Sequence, residues 1–335
     1  MSEKEKTFRS SFPVNPAGET LQQNFSTIKQ GPGTNKLVWA KPTRKNTTID
    51  SITGAATATK GDAVLRISNY THLAGFTTST YQLLMVLNAK LTAEGMKGPR
   101  VDMSLSDYMG ARGLKNRQKT KAQVQKDLEV LMNTTFSWEE IRRGKTESFR
   151  AVNLADSAQI SRNGDISFTF GSTFFDILRG YPIARISPQL PRINDHKNPN
   201  SFAFLYKISL HKNMNFDKAN ADTIKVSTLL EAAPAIPTYE EVMEGNRNLT
   251  DRIIEPFERD LNALADSFTW EYCHRNNEPL TEAELQAFDF SIFKELLIRV
   301  HWNNFPDQSR RLQQKAERQE KKEKGKRPSK KGAAK

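Results

Sequence analysis

Apolar residues recur with a helical period in two similar stretches of the chain. Val124, Leu128 and Leu131 share the i, i+4, i+7 spacing of one helix face. The same spacing occurs 133 residues later in Phe257, Leu261 and Leu264. Each stretch leads into a tryptophan-containing pentapeptide, FSWEE at 136–140 and FTWEY at 268–272. The pattern therefore predicts two amphipathic helices, each followed by a strand.

Two further pairs of segments match upstream, in the same order. Residues 101–104 match 224–227, and the apolar positions of 81–87 match those of 202–208. Collinear matches favour a duplicated module of roughly 100 residues. Chance similarity between two helix-to-strand junctions is the alternative. A duplication predicts that Trp138 and Trp270 are equivalent, buried core residues.

The first module has a recognisable order of predicted elements. A helix from Ser79 to about Leu91 precedes a strand at 101–103. A capping box, Ser104 with Asp107, starts a second helix that glycines at 110 and 113 end. A long helix at about 118–133 leads into strands at 136–141 and 149–154, and Asn163-Gly164 marks a further hairpin. Helix, strand, helix, tight turn, helix and hairpin is the order of a winged helix, whose last helix enters a DNA major groove.

The second module repeats this order. Its elements are predicted at 201–213, 224–226, 248–265, 268–274 and 288–302. Thr228 with Glu231 and Thr238 with Glu241 resemble capping boxes for two short helices between them. The predicted fold is α+β, with two tandem winged-helix domains. We place a flexible N-terminal arm at 1–62, the domains at 63–190 and 191–307, and a basic tail at 308–335.

The formal charge of +12 is unevenly distributed. Residues 308–335 carry a net +9, which leaves +3 for the other 307 residues. The tail is therefore expected to add salt-sensitive, sequence-independent affinity for nucleic acid. A single cysteine, Cys273, permits no intrachain disulfide, and the first residues lack an apolar signal core. We expect a cytoplasmic protein with no membrane span.

Enzymatic activity is not expected. The chain has no G-x-x-x-x-G-K-[ST] motif, so it lacks a phosphate-binding loop of that type. Its histidines, at 72, 196, 211, 274 and 301, are too far apart in sequence to suggest the paired-histidine metal site of a nicking enzyme. We therefore expect no catalytic residue, no metal and no cofactor.

Basic and polar residues cluster where a winged helix contacts DNA. In the first module they surround the start of the long helix, and a second group lies at the turn of the 136–154 hairpin, interpreted as the wing. Candidates in the second module are fewer and lie among acidic residues. The predicted contacts are Lys115, Asn116, Arg117, Lys119, Thr120, Lys121, Gln123, Arg142, Arg143, Lys145, Arg247, Asn248 and Arg252. Arg117 and Gln123 are the candidates for reading base edges, and the lysines for holding phosphates. An ordinary solvated basic face is the alternative.

One segment of the second module resembles a known family. Residues 252–262, RIIEPFERDLN, combine an apolar pair, a proline inside a helix and an acidic–apolar–Asn step, and lead to the strand TWEY at 269–272. This resembles the replication initiators of iteron plasmids, which have tandem winged helices. The first copy departs from the pattern, because Gln123 stands where the second has Pro256.

The resemblance implies a sequence-specific initiator of plasmid or mobile-element replication. Such a protein would bind repeated sites in double-stranded origin DNA, help to unwind AT-rich DNA, and recruit a host initiator and helicase. A transcriptional regulator or partition protein with the same fold is the first alternative, and a nicking initiator is the second. The sequence leaves open whether the protein is a monomer or a homodimer.

Overall fold

The computed structural model describes residues 77–142, 145–180, 183–245, 248–287 and 289–307, with four short strands before residue 77 and a few residues of 309–317. Residues 138–150 and the strands before residue 77 are described by their backbone. The strands are β1 (Thr27–Lys29), β2 (Thr47–Ile49), β3 (Ala56–Lys60), β4 (Ala63–Ile67), β5 (Arg100–Ser104), β6 (Thr135–Arg142), β7 (Lys145–Asn153), β8 (Ala155–Ile160), β9 (Asp165–Phe170), β10 (Ile183–Arg185), β11 (Thr223–Lys225), β12 (Phe268–Cys273) and β13 (Leu297–Trp302). The helices are α1 (Thr78–Ala93), α2 (Leu105–Arg112), α3 (Arg117–Met132), α4 (Ser172–Gly180), α5 (Ser201–Met214), α6 (Val226–Ala232), α7 (Tyr239–Glu244), α8 (Glu255–Asn262), α9 (Glu282–Ala287) and α10 (Phe290–Phe293).

The first module follows the predicted order closely. Helices α1, α2 and α3 and strand β5 lie within two residues of their predicted bounds at most ends. The predicted capping box is present: the Ser104 hydroxyl accepts from the Asp107 backbone, and Asp107 accepts from the Ser104 backbone. Helix α2 ends at Gly113, whose φ of 68° is left-handed, whereas Gly110 lies within the helix. Local capping chemistry therefore sets both ends of α2.

The wing of the first module was assigned to the wrong hairpin. Strand β5 pairs with β9, and β9 pairs with β8, which gives a three-stranded sheet in the order β5-β9-β8. The 136–154 hairpin, β6–β7, lies instead in a five-stranded sheet of order β2-β3-β4-β6-β7. The hairpin next to β5 is therefore the one centred on Asn163-Gly164. Local patterning identified each strand, but a strand's partner depends on residues far away in sequence.

The second module has the same strand order in its own sheet. Strand β11 pairs with β13, and β13 pairs with β12, so the sheet reads β11-β13-β12. Helices α5, α6, α7 and α8 precede or connect these strands. The capping box of Thr238 and Glu241 is confirmed, but that of Thr228 and Glu231 is wrong, because α6 already begins at Val226 without a side-chain cap.

The duplicated pentapeptide lies on strands with different partners. FTWEY belongs to β12, at the edge of the sheet of the second module. FSWEE belongs to β6, which pairs with β4 and β7. Trp270 is half-buried rather than buried, and its indole N–H donates to Asn262 Oδ1 at 3.0 Å. The side chain of Trp138 lies outside the described residues, so its burial stays a prediction. The predicted equivalence of the two tryptophans is wrong at the level of the strands, because β12 takes the position in its sheet that β8, and not β6, takes in the first module.

Three strands lie within the predicted flexible arm at 1–62. Strand β1 pairs with β10, and strands β2 and β3 join the five-stranded sheet through β4. At these positions the prediction of a flexible arm is wrong. Their sequences lack a clear alternation of large apolar and polar residues, and their hydrogen-bonding partners come from distant parts of the chain. The rest of the predicted arm lies outside the described residues.

A buried aspartate binds the start of the first helix in both modules. The Asp127 carboxylate on α3 accepts hydrogen bonds from Ser79 and Thr80 of α1, at 2.7 and 2.8 Å. The Asp260 carboxylate on α8 accepts two from Asn200, at the start of α5, through the backbone N–H at 2.8 Å and the side-chain amide at 2.7 Å. Asp127 and Asp260 are 133 residues apart, as in the repeat of the flanking apolar residues. The duplicated pattern thus carries a shared contact as well as a shared spacing.

Pro256 fits in its helix because the helix changes its geometry there. Residues Thr250–Ile254 form a π-helical turn, and α8 begins at Glu255, so Pro256 occupies the first turn of the α-helix. The Glu255 N–H donates back to the Thr250 carbonyl oxygen across the π turn, so the N–H that Pro256 lacks falls where the hydrogen-bonding pattern changes to that of an α-helix. The predicted single helix at 248–265 is therefore two segments joined end to end.

One hydrophobic cluster extends through both modules. Its members include Leu84, Leu128 and Phe168 in the first module and Phe204 and Phe257 in the second. Ala184, Ile186 and Leu190 continue the cluster through the connecting segment. Gln82 on α1 donates to the carbonyl oxygens of Leu190 and Ile193, which fixes this segment against the first module.

Candidate nucleic-acid interface

The start of α3 is a capped helix end with a basic surface. The Asn116 side chain accepts from the Lys119 backbone N–H at 2.9 Å, which satisfies one of the free donors of the first turn. Lys115, Asn116, Arg117 and Lys119 are all exposed. The helix start therefore combines side-chain cations with the positive end of the helix dipole, an arrangement that attracts phosphate.

Two of these cations hold the tip of the β8–β9 hairpin. Arg117 Nη2 donates to the carbonyl oxygen of Asn163 at 2.6 Å, and its Nη1 donates to the Ser106 hydroxyl at 3.2 Å. Lys121 Nζ donates to the carbonyl oxygen of Arg162 at 3.0 Å. Both contacts use neutral backbone acceptors, so the two positive charges remain unneutralised. The hairpin tip is thus fixed beside α3 without losing the positive charge of this surface.

Gly164 makes this close approach feasible. Its φ is +90°, and an added Cβ would lie 2.9 Å from Arg117 Nη2 and 3.0 Å from Leu105 Cβ. Its carbonyl oxygen accepts from the Leu105 backbone N–H at 2.8 Å. A side chain at this position would push the hairpin away from α2 and α3.

Arg162 completes a group of five cations at this end of the module. The group consists of Lys115, Arg117, Lys119, Lys121 and Arg162, which we term the basic end. Within the described part of the chain, none of the five pairs with a carboxylate. Arg162 was missed as a candidate because the Asn163-Gly164 hairpin was not taken as the wing. The sequence did predict a turn at Asn163-Gly164, but only the order of strands in the sheet shows that this turn lies beside α3.

An exposed stripe runs along α3 opposite its buried face. Gln118, Ala122, Gln125 and Glu129 are exposed at i, i+4, i+7 and i+11, with Lys119 and Lys126 beside them. Gln118 and Gln125 were not among the candidate residues. Both glutamines lie opposite the buried Val124, Leu128 and Leu131, as the helical period requires. That period could therefore have identified them from the sequence.

Thr120 and Gln123, which were also predicted to contact DNA, have partners inside the protein as well. Thr120 is only 6% exposed, and its hydroxyl donates to the Asn116 carbonyl oxygen at 2.7 Å. Gln123 is exposed, but its side-chain amide donates to Asp127 Oδ1 at 3.1 Å. Thr120 therefore stabilises the start of the helix, and Gln123 forms part of the hydrogen-bonding group around Asp127. No DNA contact of either residue has been tested.

The other predicted contacts of the first module lie elsewhere. Arg142 and Lys145 end the paired strands β6 and β7, in the five-stranded sheet. Their side chains, and Arg143 as a whole, lie outside the described residues. Their proposed contact with DNA stays a prediction, but they do not belong to the hairpin beside α3.

A polar cavity of about 220 Å³ lies behind α3. Ser79, Tyr108, Arg112 and Gln123 are among the residues that line it. Arg112 Nη1 donates to the Tyr108 hydroxyl at 2.7 Å, and its buried Nε has no partner among the described atoms. Burial raises the pKa of the Asp127 carboxyl nearby, against the opposing effect of its hydrogen bonds from Ser79, Thr80 and Gln123. Arg112, although basic, is thus part of the interior and not of the surface cluster.

The matching surface of the second module is mixed in charge. Arg252 is exposed, and Asp251 and Glu255 are exposed on either side of it. Asn248 donates to and accepts from Asp251, which occupies its side chain. Arg259 donates to Asp260 at 2.7 Å. Arg247 lies outside the described residues. Arg252 is therefore the predicted contact in this module with no partner among the described residues.

The described residues provide neither a cluster of metal ligands nor a membrane-spanning helix. There, no group of three His, Cys, Asp or Glu side chains is placed to hold a metal ion. None of the helices described is both long and apolar enough to cross a bilayer.

Comparisons with known proteins give distant structural likeness. No protein-family model matches the chain, and no curated protein sequence does. Domains 2 and 3 of RctB match with 10% identity over 75% of this chain and 91% of theirs, at a TM-score of 0.45, and a second structure of these domains gives 0.38. The WH1 domain of MSBI1.176, a replication protein isolated from a multiple sclerosis patient, matches 30% of this chain with 13% identity and a TM-score of 0.25. Likeness at this level assigns neither family nor function.

Proposed function

We propose that this protein is a tandem winged-helix replication initiator of a plasmid or mobile element, and that it binds specific double-stranded DNA through the first module. The basic end carries this proposal. Five cations without carboxylate partners among the described residues surround the start of α3 and the tip of the β8–β9 hairpin. Unneutralised cations at the end of one helix are the electrostatic footprint of phosphate binding.

In this proposal α3 lies in the major groove and the β8–β9 hairpin is the wing. Lys115, Lys119 and Arg162 hold phosphates. Arg117 and Lys121 fix the wing relative to the helix, because their end groups donate to the hairpin carbonyls. Gln118 is the residue best placed to read base edges, since glutamine can pair with adenine through two hydrogen bonds. Gln125 lies on the same stripe, but its side-chain amide donates to Glu129 Oε1 at 3.3 Å.

Initiation, as distinct from DNA binding alone, rests on sequence resemblance. Residues 252–262 resemble the proline-containing helix of the iteron-binding initiators. Recognition of origin repeats and recruitment of a host initiator and helicase belong to the proposal for the same reason. A transcriptional regulator or a partition protein would use the same DNA-binding surface.

The test of DNA binding uses the DNA that flanks the gene. If the protein is an initiator, this DNA should contain direct repeats beside an AT-rich tract, and the affinity of the protein for one repeat is measured against scrambled DNA. Gln118→Ala should reduce discrimination between a repeat and scrambled DNA by about 1–3 kcal/mol. Lys115→Ala should weaken binding to both DNAs alike. Arg252→Ala is the matched control in the second module. If only Arg252→Ala loses discrimination, the second module reads the bases and the assignment to α3 is wrong.

Initiation is tested separately, by a plasmid that lacks its own origin. The gene and its flanking repeats should support replication of that plasmid in a suitable host. A regulator or partition protein would bind the repeats without doing so. A nicking initiator would convert supercoiled plasmid to relaxed product when supplied with a divalent metal.

A further inference from the structure

An open apolar cleft of about 560 Å³ lies in the second module. Leu230 of α6, Pro237, and Leu249 and Ile253 of the segment before α8 form much of its surface, and Phe290 of α10 closes one side. The Tyr239 ring stacks on the Phe290 ring, with centroids 5.1 Å apart and planes at 18°. Tyr239 is nevertheless 42% exposed. The cleft thus offers apolar and aromatic surface to an incoming side chain.

The cleft has an acidic rim. Among the described residues that line it, Glu231, Glu240 and Asp289 are exposed carboxylates, and Lys294 is the one basic residue. Hydrogen bonds, first from the Ser291 hydroxyl and then from the Ile292 backbone, lower the pKa of Asp289. An occupant that suits this cleft therefore combines an aromatic or aliphatic group with flanking positive charges.

The equivalent place in the first module is occupied by the protein itself. There α2, the start of α3 and the hairpin tip are joined by Arg117, which donates to both Ser106 and Asn163. In the second module the corresponding elements, α6, the segment before α8 and the chain between β12 and β13, leave the cleft between them. The second module therefore leaves an open apolar surface between these elements, whereas in the first module Arg117 joins them.

Residues 30–46 of this chain match that chemistry. They contain Lys36, Lys41, Arg44 and Lys45 and no carboxylate. Their centre, residues 36–41, reads KLVWAK, with an apolar tetrapeptide between two lysines. Residues 1–26 have aromatic residues but as many glutamates as basic residues, and residues 308–335 are basic but have no aromatic residue. Residues 30–46 therefore combine both properties.

We propose that this cleft binds residues 36–41, with the Trp39 indole against Tyr239 and Phe290 and the two lysines beside the acidic rim. Tryptophan is a frequent anchor of interfaces because it buries a large, rigid apolar surface. Trp39 follows β1 by ten residues, so it reaches at most about 35 Å from that strand. If the cleft of the same chain lies within this distance, residues 36–41 bind there. If it lies further away, they bind the cleft of a second copy of the chain.

A photo-crosslinking amino acid, p-benzoylphenylalanine, in place of Trp39 of the full-length chain tests the proposal. Irradiation without DNA should link position 39 to residues 230–253 or 289–294, as located by mass spectrometry. A product that migrates as a monomer shows that the segment binds its own chain, and one that migrates as a dimer shows that it binds a second copy. The same probe in place of Phe25 should give no link to the cleft.

Charge reversal and competition make the test specific. Glu231→Lys combined with Glu240→Lys should abolish the crosslink, whereas Asp266→Lys combined with Glu282→Lys, which makes the same change in charge away from the cleft, should leave it. A peptide of residues 34–44 should compete, and the same peptide with Trp39→Ala should not. Crosslinks that map elsewhere, or that persist after reversal of Glu231 and Glu240, would overturn the proposal. Because DNA is absent, this result is independent of the proposed function.

Discussion

In the first module Asp127 accepts hydrogen bonds from Ser79 and Thr80 at the start of α1, and in the second Asp260 accepts them from Asn200 at the start of α5. The sheets of the two modules also share one strand order. Their surfaces differ, because the first joins its hairpin to α3 through Arg117 and the second leaves an acidic, apolar cleft. The two modules thus have similar buried contacts at matched positions, whereas the exposed ends of the same elements carry different chemistry.

The largest expected effect tests whether the shared aspartate is structural in both modules. Asp260→Ala removes the acceptor of two buried donors of Asn200, so it should lower the free energy of unfolding by about 2–4 kcal/mol. Asp127→Ala should cost less, about 1–2 kcal/mol, because the hydroxyl groups of Ser79 and Thr80 can turn to other acceptors. Urea unfolding measures both.

Asp266→Ala is the control for this pair. Asp266 is exposed, and such a surface change is usually within about 0.5 kcal/mol of neutral. If Asp260→Ala behaves like Asp266→Ala, the aspartate does not hold the module together.

A second prediction concerns the hairpin that only the first module fixes in this way. Gly164→Ala should cost about 2–3 kcal/mol, because the added Cβ meets Arg117 and Leu105 and the backbone φ is +90°. Gly113→Ala is the matched control, since Gly113 also has positive φ but has no atom within 4 Å of the added Cβ. It should cost about 1 kcal/mol. Equal losses in the two variants would show that the hairpin is not tightly held against α2 and α3.

The sequence predicted most helices and strands but not how the strands pair. Helical periodicity located α1, α3 and α5, and capping residues located the start of α2 and α7. These signals act over a few residues, so they can be read along the chain. The pairing of β6 with β4, and of β5 with β9, joins segments about 65 to 75 residues apart, and no local pattern specifies it.

The predicted DNA contacts include the exposed cluster at the start of α3, and the structure places further residues beside it that were not predicted. The basic cluster at the start of α3 is exposed as expected, and Arg162 joins it through the sheet order. Gln123 borders the exposed stripe and bonds to Asp127, whereas Gln118 lies on that stripe. Hydrogen bonds within the protein determine which polar side chains remain free to contact DNA. Such bonds depend on the tertiary structure, so the sequence alone did not reveal them.

The third prediction compares the two modules as binders of phosphate. Lys119→Ala should reduce the slope of log affinity against log salt by about 0.9, the change expected for one lost phosphate contact. Arg252→Ala should leave the slope unchanged, because Asp251 and Glu255 flank it and reduce the local positive potential. Titrations at several salt concentrations measure both slopes. Equal reductions would mean that both modules lie on the DNA backbone.

The smallest expected effect concerns the pH dependence of the Asp127 contact. Burial raises the pKa of the Asp127 carboxyl, so the folded protein holds this proton more tightly than the unfolded chain does. The stability contributed by this group is therefore fully present below its unfolded pKa of about 3.9 and is lost as the pH rises through the folded pKa. The Asp127→Asn variant has no ionisable carboxyl group at this position. Its free energy of unfolding relative to the original protein should thus increase as the pH rises.

Comparing the two proteins at each pH removes the contributions of other carboxyls. Asp102, whose pKa is lowered chiefly by its hydrogen bond with Arg100, stabilises the fold at higher pH in both proteins alike, so it cancels from the difference. Urea unfolding between about pH 4 and about pH 8 measures that difference. A difference that does not change with pH would show that Asp127 titrates as it does in the unfolded chain. The hydrogen bonds from Ser79, Thr80 and Gln123 would then fully offset the cost of burying the ionised Asp127 carboxylate.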